Sequence, residues 1–131
     1  MVDGIIYIAG HARKINCFPE NFGTPAVMAY AYDQNPMVSA VLPDDETSAY
    51  QMTRYLIRKG HKKIALLAGR EDNLHTRRRL KGYQNALFDA QILYNPRLVR
   101  YVDWNKPSGY QETKRLLKED ITAIFCMADT I

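Results

Sequence analysis

Short runs of apolar residues, separated by segments with helical spacing, constrain the fold of this chain more than any other feature. Six such runs are strand candidates: residues 5–9, 26–30, 39–42, 64–68, 98–102 and 123–127. A strand that is apolar throughout is typical of a parallel sheet covered on both faces. The sequence therefore predicts an α/β fold, with mainly parallel sheets and helices on their faces.

Helical patterns lie between most of these runs. Residues 44–47 supply capping oxygens and negative charge for a helix that continues to Lys59, with Gly60 just past its end. In the segment after Gly69, apolar side chains recur with a 3.6-residue period from Leu80 to Ala90. Both segments are predicted to be helices that pack against the sheet.

Two further helices are predicted from weaker signals. Residues 12–22 would hold a short or broken helix, because Pro19 lies within them. Ser108 and Gln111 resemble a capping box that opens a helix through Glu119.

One break in the alternation predicts the domain organisation. The runs at 26–30 and 39–42 follow each other without a helix, so we expect the chain to cross between subdomains near Leu42 and Pro43. This divides the 131 residues into parts 1–42 and 43–131. The chain starts beside one strand and stops four residues after another, which favours a segment of a longer protein.

Composition excludes several classes of protein. Hydrophobic residues make up 47% of the chain and no apolar run approaches the ~20 residues of a membrane span, so we expect no membrane association. A net charge of +4 without a long basic block does not by itself indicate nucleic-acid binding. Cys17 and Cys126 have apolar or aromatic neighbours, which favours buried, reduced thiols in a cytoplasmic protein.

Two residues are candidates for ligand contacts because each follows a strand by one loop. Ligands of open α/β sheets bind beyond the carboxyl ends of the strands. Arg79 lies there, and its guanidinium can hold hydroxyls, carboxylates or phosphates with two parallel hydrogen bonds. Trp104 offers a flat apolar ring for a sugar face or heterocycle, although a loop tryptophan that only fills a packing gap is an equally good interpretation.

The sequence contains no motif for catalysis or for a cofactor. The glycine patterns that hold dinucleotides and nucleoside triphosphates are both missing. The three histidines and two cysteines have no metal-ligand spacing, and no nucleophile with a neighbouring base is evident. We therefore expect no cofactor, no metal and no enzymatic activity.

Several stretches, taken together and in order, resemble the effector-binding core of the lactose-repressor/galactose-repressor (LacI/GalR) transcription regulators. The most specific is Arg79-Leu80-Lys81-Gly82-Tyr83, at the right distance after the segment 60–69 that begins Gly60-His61. Shorter similarities lie at residues 2–6, 44–57 and 122–129.

The resemblance implies a fold and a site. The fold would be that of the periplasmic binding proteins, a Rossmann-like three-layer α/β/α arrangement, with residues 1–42 in the N-terminal subdomain and 43–131 in the C-terminal one. Arg79 would grip the effector and Trp104 would pack against it. Tyr30 and Asp129 would be two further positions of the ligand site. Tyr30 stands where the family usually has an aspartate, and Ala128-Asp129 stands where it usually has an Asn-Asp pair, so polar groups that bind sugar hydroxyls in the family are missing at both places.

The resemblance also implies a function. The chain would be the effector-sensing core of a bacterial regulator that binds a sugar or another small molecule between its subdomains. It would form a homodimer and would contact DNA only through an N-terminal helix-turn-helix outside this chain. The alternative is a solute-binding protein of a sugar transport system. A third hypothesis is a small α/β enzyme, but the sequence offers no catalytic group to support it.

Overall fold

The protein folds into two compact units, Met1–Asp44 and Asp45–Ile131. The computed structural model describes residues 2–10 and 13–131. That these two units are parts of two effector-binding subdomains stays a prediction.

Unit 1 is built from short parallel strands. Its elements are β1 (Ile5–Ile8), β2 (Lys14–Ile15), β3 (Ala26–Ala29), β4 (Tyr32–Asp33) and β5 (Ser39–Val41). Strands β1, β3 and β5 form one parallel sheet in that order, and β2 pairs in parallel with β4. A small core gathers Met28, Ala31 and Val38 around Phe18, whose ring lies edge-on to that of Phe22.

The helix predicted over residues 12–22 is wrong. Residue 12 lies outside the described residues, and the rest of the segment contains only β2 and loops. The N–H groups of Cys17 and Phe18 donate to Oδ2 of Asp33, at 2.9 and 3.3 Å, instead of to carbonyls within the segment. Pro19 has no N–H to donate, so a buried carboxylate from a distant strand organises this loop.

The first strand is also less buried than its apolar composition predicts. Side chains alternate along β1, so that Ile5 and Tyr7 pack against the small core while Ile6 and Ile8 are exposed. Val27 and Val41 are exposed as well and share the face of Ile6 and Ile8 through the pairing register. Among the described residues of unit 1 no helix covers this face.

Unit 2 alternates helices and strands. Its elements are α1 (Asp45–Arg58), β6 (Ile64–Ala68), α2 (Leu74–Asp89), β7 (Val99–Tyr101), α3 (Lys106–Leu116) and β8 (Ala123–Cys126), with a 3-10 turn at Pro96–Leu98. The strands form a parallel sheet in the order β7-β6-β8. Each strand matches a sequence prediction to within two residues.

Strand β6 explains the layering of unit 2, because all five of its residues are buried. Ile64, Leu66 and Ala68 point into a core with Tyr83 and Leu87 of α2. On the other face, Ala65 and Leu67 pack with Leu116 of α3. Helices therefore cover both faces of the sheet, which confirms the predicted α/β fold with a parallel sheet and helices on its faces.

Three local predictions need correction. Helix α3 is capped by Asn105, whose side chain accepts from the N–H of Ser108 at 2.9 Å, so Ser108 lies inside the helix. The helix ends at Leu116, before Glu119. Cys17 and Cys126 are free thiols, as predicted, but both are exposed rather than buried.

No helix formed by residues 2–10 and 13–131 is long and apolar enough to cross a membrane.

Candidate functional site

The carboxyl edge of the unit 2 sheet brings three loops together. Because β6, β7 and β8 are parallel, Gly69, Val102 and Met127 all follow strands at this same edge. Backbone hydrogen bonds join the loops to β6, since the N–H of Val102 donates to Ala68 and that of Met127 donates to Leu67. Loops at this edge are the usual place for ligand contacts in such sheets.

Arg79 reaches this edge from the second turn of α2. Asn73 caps the helix, and its side chain accepts from the N–H groups of His75 and Thr76 at 2.9 and 3.4 Å. The guanidinium of Arg79 donates through Nε to Oδ1 of Asp45 at 2.8 Å. Its Nη1 donates to the carbonyl of Met127, directly after β8. The arginine is thus held at two points, and 22% of its side chain stays exposed.

Asp45 and His75 complete a buried cluster with Arg79, which we call the arginine cluster. The side chain of Asp45 is 1% exposed and that of His75 is 7% exposed. Nδ1 of His75 contacts Oδ2 of Asp45, so each carboxylate oxygen has a different partner. Burial of an ionised carboxylate is costly unless it is paired in this way.

Sequence reasoning missed the roles of Asp45 and His75. It assigned Asp45 to the negative first turn of α1 and treated His75 as a histidine without metal-ligand spacing. One signal was present, because His75 and Arg79 are four residues apart and share a helix face. Asp45, however, lies 34 residues before Arg79, a separation at which no local pattern reveals contact.

Trp104 lies against the backbone at the end of β6. A Cβ atom added to Gly69 would lie 2.0 Å from the indole ring, so the glycine leaves the space that the ring occupies. Asn105, the next residue, begins α3 by capping it. The half-buried ring therefore lies at the same edge of the sheet as the Met127 carbonyl that Arg79 contacts. Trp104 follows β7 and Met127 follows β8, and the central strand β6 lies between those two strands.

The other two predicted ligand residues are exposed. Tyr30 follows β3 in unit 1 with a φ of 68°, a left-handed conformation unusual for a residue other than glycine. Its N–H donates to Val41 at 2.9 Å. Asp129 lies in a turn after β8, two residues beyond Met127. The structure thus places Arg79, Trp104 and Asp129 on loops or helix ends of unit 2, and Tyr30 on unit 1.

An open cleft of about 580 Å³ lies between the loops after β6 and β7. Its walls include the charged residues Arg70, Asp72 and Asp103 together with Tyr101. Arg70 and Asp72 form an ion pair at 3.1 Å, which holds the pKa of the Asp72 carboxyl below its usual range. Because both partners are exposed to solvent, this pair contributes little to stability.

Comparison with known proteins decides the family. Residues 1–131 match the family of periplasmic binding proteins and the sugar-binding domain of LacI-family proteins. The chain belongs to this family. The resemblance predicted from the sequence motifs is therefore confirmed.

Similar proteins of the LacI family are transcriptional regulators. Catabolite control protein A of Priestia megaterium is 30% identical over 98% of this chain and 40% of its own length. The regulator CelR of Thermobifida fusca is 32% identical over 98% of this chain and 39% of its own. The chain thus spans about two fifths of the length of these relatives.

Solved structures agree with the LacI-family assignment. The regulator CcpA of Lactococcus lactis superimposes with a TM-score of 0.74 at 31% identity, over 98% of this chain and 48% of that one. A CelR–cellobiose complex superimposes with a TM-score of 0.72 at 30% identity, over 95% of this chain and 40% of that one.

Proposed function

We propose that this chain is part of the effector-sensing core of a bacterial transcriptional regulator, and that its effector is a sugar or a related small molecule. The effector would shift the relative positions of the two units and thereby change DNA binding by a helix-turn-helix outside this chain. The regulator would act in the cytoplasm as a homodimer. The core would bind its effector without chemical change, so it would not be an enzyme.

The observation that carries this proposal is the placement of Arg79. A guanidinium has five N–H donors, and the contacts with Asp45 and Met127 use one on Nε and one on Nη1. The remaining donors belong to a partly exposed group at the carboxyl edge of a parallel sheet. Such donors suit the hydroxyl oxygens of a sugar, and the indole of Trp104 offers an apolar ring for a sugar face.

The proposal is tested by ligand titration of the protein at its full natural length. Calorimetry against a panel of sugars that includes cellobiose and D-ribose should identify at least one that binds. Arg79→Ala should then weaken binding by ~2–3 kcal/mol, roughly 30- to 150-fold, because a hydrogen bond from a charged group is lost. Arg78→Ala is the matched control, since Arg78 is exposed on the same helix turn.

A second measurement separates sensing from simple binding. Operator DNA affinity should change when the sugar is added, and Arg79→Ala should abolish that change while the protein still binds DNA. Sugar binding without any effect on DNA, by a protein that carries a secretory or lipoprotein signal, would instead support a solute-binding protein of a transport system. Equal sugar affinities for the wild type and Arg79→Ala would refute the assignment of the site.

A further inference from the structure

The arginine cluster contains more than the ligand-binding function of Arg79 requires. A guanidinium that only had to reach an effector could be held by backbone carbonyls, as it is by Met127. Here it also contacts Asp45, a carboxylate that is almost fully buried. A buried charge has a large desolvation cost, and the contact with Arg79 offsets part of it. The contact also has two consequences for Arg79.

The first consequence of the contact is geometric. Nε of Arg79 is fixed on Oδ1 of Asp45, and Nη1 is fixed on the carbonyl of Met127. The N–H bonds of a guanidinium lie in its plane, so two directional hydrogen bonds to Asp45 and Met127 fix that plane and with it the orientation of Nη2. His75 in turn holds Oδ2 of Asp45, so the carboxylate cannot rotate away.

The second consequence is electrostatic. The negative charge of the almost fully buried Asp45 lies in direct contact with the positive charge of Arg79, whose side chain is partly exposed. The contacting pair of Asp45 and Arg79 therefore carries no net charge. An uncompensated positive charge favours a phosphate or carboxylate ligand, because it offsets the loss of that ligand's hydration. A hydroxyl group needs only oriented donors.

We propose that Asp45 is a positioning residue that orients Arg79 and compensates its charge, so that the site binds an uncharged, hydroxyl-bearing ligand in preference to a phosphorylated or acidic one. This inference rests on the proposed function of Arg79 as an effector-binding residue. It narrows the effector class from sugars and their derivatives to neutral sugars.

The test compares neutral and anionic ligands of one shape, in the protein at its full natural length. The probes are D-ribose with D-ribose 5-phosphate, D-glucose with D-glucose 6-phosphate, and inorganic phosphate. The wild type should bind the neutral member of a pair at least about tenfold more tightly than its phosphate ester. Tighter binding of the ester would overturn the proposal without any variant.

Asp45→Asn supplies the decisive variant, because it preserves the size of the side chain and removes its charge. It should gain affinity for inorganic phosphate and reverse the preference in favour of the phosphate ester. Asp89→Asn is the matched control, since it makes the same charge change at the exposed far end of α2. His75→Gln, which keeps an N–H group that can donate to Asp45, should keep the wild-type preference.

A spectroscopic readout distinguishes positioning from a general effect on folding. The Nε–H resonance of Arg79 should be resolved and protected from exchange in the wild type and in Asp89→Asn, and lost in Asp45→Asn. If no sugar binds any form of the protein, the proposed function fails, but the phosphate titration still decides this inference. A gain of phosphate affinity in Asp45→Asn supports charge compensation, and an unchanged affinity refutes it. If Asp45→Asn does not fold, the wild-type comparison decides alone.

Discussion

Substitution of Gly82 by alanine should destabilise unit 2 through a backbone collision between α1 and α2. Gly82 is buried on α2, and a Cβ atom added there would lie 2.1 Å from the carbonyl oxygen of Glu46 and 2.9 Å from the backbone nitrogen of Tyr50. Non-bonded carbon and oxygen atoms are in van der Waals contact at roughly 3.5 Å, so α1 and α2 would have to move apart by more than about 1 Å.

The expected magnitude combines two opposing effects. Alanine favours a helix interior over glycine by up to ~1 kcal/mol. Overpacking of a core typically costs ~1–3 kcal/mol, and the upper end applies because both colliding groups are helix backbone that cannot change rotamer. The net loss should therefore be about 2 kcal/mol, which lowers the urea midpoint by about 1 M for an m-value of ~2 kcal/mol/M.

Trp104 makes the assay specific, because it is the single tryptophan of the chain and lies in unit 2. Its fluorescence during urea unfolding reports the free energy of unfolding of that unit. Gly23→Ala is the control, since a Cβ atom there would contact nothing within 4 Å and the residue has an ordinary φ. A midpoint for Gly82→Ala equal to or above that of the wild type would refute the close packing of α1 on α2.

Three further outcomes are expected. Gly69→Ala should displace the ring of Trp104, because the new Cβ would lie 2.0 Å from it; sugar affinity should fall while the urea midpoint changes little, and an unchanged affinity would exclude the ring from the site. Tyr83→Phe should cost ~1 kcal/mol in unfolding free energy, because its buried hydroxyl donates to Ile64 at 2.8 Å, and a loss below the error of denaturation would contradict this. N–H groups of nearby residues lower the pKa of Asp33 below its ordinary value of about 3.9, so this carboxylate should stabilise unit 1 above about pH 4 and lose that effect as pH falls through its folded pKa. Asp33→Asn should flatten the acid limb of a stability profile, and an identical profile would argue against the linkage.

The strands and helices of unit 2 could be predicted because their signals are local. The run at 64–68 is fully apolar, and β6 is buried at every residue. The positions of Arg79 and Trp104 after strands were equally readable, since parallel strands end at one sheet edge.

What could not be predicted depends on contacts between residues far apart in the chain. The loop at 13–22 is organised by the carboxylate of Asp33, which lies 16 residues beyond Cys17. Asp45 looked like an ordinary first-turn carboxylate, although its side chain turns inward to Arg79. The exposure of Ile6 and Ile8 depends on what covers the sheet, and no periodicity within a four-residue strand reports that.

The burial of β6 affects how an α/β unit with a buried central strand can change its ligand specificity. The five buried residues of β6 end at Ala68, and the loop that begins at Gly69 leads to the residues proposed to contact the ligand. Substitutions in the loops can therefore alter recognition while the sheet continues to fold as before. Asp45 is the exception, because it begins the helix α1 and also touches Arg79. A substitution of Asp45 should therefore affect both the start of α1 and the proposed ligand contact of Arg79. We expect ligand specificity to change more often by substitutions in the neighbouring loops than by substitutions of Asp45 itself.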